Sequence, residues 1–122
     1  LVRDVPALRR TTPRGQELLS PHFNVEVPGV GTLANLRLRF YPNGGMTTMS
    51  EDACSLYLSH SADLPWVQYE LTVGAVKRGT FDPIFAGVDQ FCDLAPQLTE
   101  VDGGLAVRLG VRFLVARRVE HV

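Results

Sequence analysis

The chain has 122 residues, 12 basic and 13 acidic side chains, a net charge of -1, and 45% apolar residues. That length suits one domain, and that composition folds around a core rather than staying disordered. The balanced charge argues against a nucleic-acid groove or a polybasic membrane surface. No apolar run approaches the roughly 18 residues of a spanning helix, and no signal-type apolar stretch opens the chain.

Taken in chain order, residues 1–14 hold Pro6, Pro13 and four arginines and read as a loosely attached arm or a divergent first strand. Gln16 to Val27 is the first strand candidate, where Pro21 argues for an edge position or a bulge. Leu36, Leu38 and Phe40 then alternate with Arg37, Arg39 and Tyr41. The run stops at Pro42-Asn43-Gly44-Gly45, turn chemistry in which Asn and Gly accept positive φ. Cys54, Leu56 and Leu58 alternate with Ser55, Tyr57 and Ser59. Trp66 to Val73 sets Val67, Tyr69, Leu71 and Val73 against Gln68, Glu70 and Thr72, with Trp66 read as a plug of the sandwich. Val88 to Leu98 has room for a helical turn, ended by Pro96. Gly104 to Val115 is the longest run, with Leu105, Val107, Leu109, Val111, Phe113 and Val115 inward and Arg108 and Arg112 outward. The Arg117-Arg118 end reads as a solvated tail.

Period-two alternation is what a half-buried antiparallel strand requires, because successive side chains point to opposite faces. With turn residues between the runs, the expected fold is all-β: a single antiparallel β-sandwich. Leu38, Phe40, Leu56, Leu58, Leu71, Leu109, Val111 and Phe113 are its expected core.

Chemistry is sparse. The sequence contains no Gly-x-Ser-x-Gly, no phosphate-binding Gly-rich loop and no His-Glu-x-x-His. His22, His60 and His121 stand alone, without a second ligand at metal spacing. His60 lies among Ser59, Ser61 and Asp63, too close in sequence to converge as a triad. Asp82, Asp89 and Asp93 lack a dense oxygen-ligand loop. The reading is no enzyme, no cofactor and no metal. Cys54 and Cys92 are too few for a disulfide framework and read as reduced, inert core thiols of a reducing, cytoplasmic compartment.

Three stretches in order then carry a family resemblance: Leu19-Ser20-Pro21-His22-Phe23, Leu36 to Gly44 ending in "YPNG", and Cys54-Ser55-Leu56-Tyr57-Leu58. They resemble the MATH (TRAF-like) family, whose domains run "SP.F", "YPNG" and "LSLYL" near these spacings. The likeness extends through Trp66–Val73 and Gly87–Phe91 with Leu94 to Leu105–Phe113, and it implies a sandwich of about seven to eight strands over residues 15–116 with a tail at 117–122. It implies a module that binds short linear peptides added as an extra strand along a sheet edge. Carried over by position, it implies peptide contacts at Arg39, Tyr41, Ala53, Tyr69 and Val88, Ala53 and Val88 standing where the family has aromatics. Arg39 would then suit an acidic or phosphorylated residue. The alternative is a structural or oligomerising sandwich of a scaffold, self-associating through flanking segments. Neither reading involves nucleic acid or a membrane.

Overall fold

The computed structural model describes residues 1–46, 48–60, 67–81 and 87–114. The order is a helix α1 (Val5–Thr11), then strands β1 (Leu18–Leu19), β2 (Phe23–Val27), β3 (Gly31–Tyr41) and β4 (Ala53–His60). They are followed by β5 (Gln68–Val73), β6 (Val76–Phe81), β7 (Gly87–Asp93), a 3-10 turn at Ala95–Gln97, β8 (Thr99–Val101), β9 (Gly104–Ala106) and β10 (Leu109–Leu114). All pairings are antiparallel. A five-stranded sheet runs β1-β3-β4-β7 with β2 also on β3, a three-stranded sheet runs β10-β5-β6, and β8-β9 form a hairpin. The apolar faces of the first two sheets enclose one core. The fold is an all-β sandwich.

Ten strands appear among the described residues where about seven to eight are expected: two expected runs are each cut in two, and β6, β7 and β8 form outside the alternating runs. Pro21 divides the first. Ser20, beside it, supplies both ladder bonds: its N–H donates to Leu38 O at 3.0 Å and its Oγ accepts from Leu38 N–H at 2.8 Å. A proline has no N–H to donate, so a hydroxyl keeps the chain attached to β3 at the break. The second run is divided at Val107, which is fully buried and bridges to Val2. Phase inverts there: Ala106 and Val107 are both buried, and Leu105, expected inward, is 43% exposed.

Two further expectations are corrected. The arm at residues 1–14 is not loose. Val5 is fully buried in the core, and the turn after β3 grips the end of α1. Asn43 Nδ2 donates to Arg9 O at 2.7 Å and Thr12 O at 2.6 Å, and Arg9 Nε donates back to Asn43 Oδ1 at 3.1 Å. The last carbonyls of a helix lack intrahelical partners, and here an amide from a distant turn supplies them. Arg9 reaches on to Glu51 O at 2.9 Å, Arg14 binds Thr48 O, and Gly15 N–H donates to Gly44 O at 2.9 Å. Gly44 holds φ +80, the conformation that its place in the turn foretells. Of Val88–Leu98, expected to hold a helical turn ended by Pro96, the first part is strand β7, and the turn is the 3-10 turn Ala95–Gln97 with Pro96 inside it; Phe91 and Leu94 are both fully buried in the core.

Of the expected core, Leu38, Phe40, Leu56, Leu58 and Leu71 are buried. Leu109, Val111 and Phe113 are only partly buried against it, because β10 ends its sheet and no neighbour covers its far side among the described residues. Trp66 and Val115 lie outside the described residues. Phe40→Ala should therefore cost about 3–5 kcal/mol in urea unfolding and Phe113→Ala clearly less; equal costs would contradict this account of β10. Deleting residues 1–14 should lower the melting midpoint by about 5 °C or more, through the lost Val5 burial and helix clasp. An unattached arm would leave it unchanged.

Candidate functional site

Strands β3 and β4 pair with Arg39 opposite Tyr57 and Tyr41 opposite Ser55. Outward-facing side chains on this face therefore meet. Arg39 Nε donates to Glu17 Oε2 at 2.6 Å and its Nη2 donates to Tyr41 Oη at 3.0 Å; Tyr41 Oη donates in turn to Glu17 Oε2 at 3.1 Å. The Tyr41 and Tyr57 rings meet edge to face at 5.7 Å. Tyr57 Oη donates to Asp89 Oδ1 on β7. Hydrogen bonds thus join Glu17, Arg39 and Tyr41 as one group and Tyr57 to Asp89 as another, and the Tyr41–Tyr57 ring contact links the two across the sheet.

The electrostatics follow. The hydrogen bond from Arg39 holds the Glu17 carboxyl below its ordinary 4.5, with partial burial opposing, and the same bond raises Arg39. Burial first, then the hydrogen bond to Asp89, pushes the Tyr57 phenol upward. Beneath this face the turn is locked. Thr48 Oγ1 donates to Asp89 O at 3.0 Å, Ser55 Oγ donates to the same carbonyl, and Gly45 N–H donates to Thr48 Oγ1 at 2.9 Å. Ser55 and Thr48 are buried for this reason.

Of the five expected contact residues, the structure brings together only Arg39 and Tyr41. Ala53 is in phase with Ser55 and Tyr57 but is 3% exposed, out of a ligand's reach. Tyr69 lies in the other sheet at 1% exposure, its ring 5.9 Å from Phe81 and 5.6 Å from Phe113. It is a core residue, as its alternation with Leu71 and Val73 had implied. Val88 pairs with Leu56 and is half-buried, at the seam between β7 and β6. Arg39 and Tyr69 thus lie on different sheets, one on an outer face and the other in the core. Ala86, Asp82, Asp63 and His121 lie outside the described residues.

That seam holds residues the sequence reading passed over. A cleft of about 530 Å³ is lined by Val76, Lys77, Arg78, Gly79, Phe81 and Val88. Arg78, exposed on β6, donates from Nε to Phe91 O at 2.6 Å, so a side chain on one sheet bonds the backbone edge of the other. Lys77 lies 3.6 Å from Glu70 and is 58% exposed. Nothing in the pattern of β6 marks these two cations as neighbours of β7, whereas Tyr57 was legible from its phase opposite Leu56 and Leu58. No family model, curated protein or solved structure matches the chain.

Because the folded Glu17 carboxyl is held below its ordinary value, its contribution is present above about pH 4.5 and is lost as pH falls below that. Both partners are substantially solvent-accessible, at 43% for Arg39 and 33% for Glu17, so the gain is small and screened by salt. Wild type should melt above Glu17→Gln at neutral pH and low salt. The gap should close in acid and in high salt; a gap that persists in both would exclude the ion pair as its source.

Proposed function

We propose that this domain is a protein-interaction module that docks an extended peptide along the outer edge of β7, with the β6–β7 cleft receiving its side chains. One observation carries the reading: among the described residues β7 pairs only with β4, and Arg78 bonds its outward carbonyl at Phe91. A guanidinium there substitutes for the N–H that a neighbouring strand would provide. Unpaired edges accept strands through main-chain hydrogen bonds, while pockets beside them read alternate side chains. Val76, Phe81 and Val88 give the cleft apolar walls, and Lys77 and Arg78 give it positive charge. An acidic or phosphorylated segment suits such a wall. The resemblance of "YPNG" and "SLYL" to a peptide-binding family supports the same class of partner.

The position of the charge differs from the one expected from sequence. Arg39 already holds Glu17 and Tyr41, so an acidic ligand would have to displace an internal carboxylate. Arg78 hydrogen-bonds a backbone oxygen and is exposed.

Selection from a random peptide display library, followed by calorimetric titration, tests the reading. An acidic peptide of about micromolar affinity is expected. Arg78→Glu should weaken it tenfold or more, while Arg39→Ala should change affinity less than threefold, as judged from like-charge repulsion and screened surface pairs. Failure to enrich any peptide, or equal affinity in wild type and folded Arg78→Glu, would remove the β6–β7 seam as the site.

A further inference from the structure

Cys54 and Cys92 were expected as separate, inert core thiols. The fold sets them face to face. They are direct partners in the β4–β7 ladder, with their sulfurs 3.9 Å apart. Opposed residues of antiparallel strands have Cα atoms about 4.5–5.5 Å apart, inside the 4.4–6.8 Å that a disulfide spans. Bond formation therefore needs the sulfurs to close to about 2.05 Å by side-chain rotation, without moving either strand.

We propose that Cys54 and Cys92 form a reversible modification site, a cross-strand dithiol that a small-molecule disulfide oxidises to an intramolecular disulfide. Accessibility sets the order of events. Cys54 is fully buried and Cys92 is partly open, so the Cys92 thiolate attacks one sulfur of the small disulfide and expels a thiol. Cys54, once deprotonated, attacks the Cys92 sulfur of the mixed disulfide and expels the second thiol. Two protein thiols and one small disulfide yield one protein disulfide and two small thiols, with two electrons passed and the two protons lost by the protein thiols taken up by the leaving thiolates. Burial pushes Cys54 up to about 12 and raises Cys92 too, where the neighbouring thiol and Arg78 oppose it. Thiolate is the attacking species, so the reaction quickens as pH rises.

The location gives the bond a consequence. Just past the cysteine pair the ladder is irregular: Cys54 pairs with Cys92 but Leu56 pairs with Val88, leaving three residues of β7 opposite Ser55. Side chains, those of Ser55, Thr48 and Tyr57, hold Asp89 in that interval. A covalent tie at Cys54–Cys92 fastens one of the two short stretches by which β7 pairs with β4, the other being Leu56–Val88 and Tyr57–Gly87.

The test is exposure of the folded, reduced chain to oxidised glutathione at about pH 8.5, followed by alkylation, intact mass and peptide mapping. Wild type should become two hydrogens lighter, resist alkylation, yield a Cys54–Cys92 cross-linked peptide and revert with dithiothreitol. Cys54→Ser should stop as a mixed disulfide on Cys92, and Cys92→Ser should react far more slowly or not at all. The oxidised form should melt about 10 °C above the reduced form, from the constraint on a long loop. A wild-type mixed disulfide that never resolves would overturn the proposal. So would two thiols that oxidise only in denaturant, or equal reactivity of the two single variants.

Discussion

The pairing of β3 with β4 sets every other placement. Six consecutive partners from Leu36–His60 to Tyr41–Ser55 put Leu38, Phe40, Leu56 and Leu58 on one side. The arginines and tyrosines fall on the other. A slip of one residue would carry the leucines into water and the guanidiniums into the core, so burial on one face enforces the register. From that register come the Arg39–Tyr57 opposition, the position of the turn at Pro42–Gly45, and, through β4, the seating of β7.

Two positive regions result, and they differ in kind. On the sheet face, Arg39 is enclosed by a carboxylate and a phenol, which give it geometry at the cost of availability. At the seam between sheets, Arg78 rests on a carbonyl and Lys77 on a loosely spaced carboxylate. The first is a structural tie across three strands. The second leaves charge facing outward beside a backbone edge that lacks a neighbour among the described residues. The sandwich is open along both sides, where β6 meets β7 and where Leu18–Phe23 faces Leu109–Val111.

Sandwich class and strand phases were legible because alternation is local: Leu36 to Tyr41 states its own faces without reference to any partner. The breaks were less so. Pro21 announced one, but the inversion at Ala106–Val107 depends on Val2 arriving from the far end of the chain. Helix α1 was invisible for the same reason, since Val5 gains burial only from strands distant in sequence. At the site, the phase of Tyr69 pointed inward and the family likeness pointed outward; the packing against Phe81 and Phe113 followed the phase. Glu17, Asp89 and Arg78 could not be found from periodicity, because each finds its partner across an inter-strand contact that only the fold creates. The cysteine pairing was hidden likewise, 38 positions apart in sequence.

The grip of Asn43 on α1 makes the helix conditional on the rest of the fold. Seven residues make a helix too short to persist alone in water, where roughly 12–15 are needed for even marginal stability. Its carbonyl partners lie 31 and 34 positions downstream, in a turn that exists only once β3 and β4 have met. The first helix in the chain therefore depends on a closure made well after it in sequence, and the amino-terminal segment sits as a latch on the turn that follows β3.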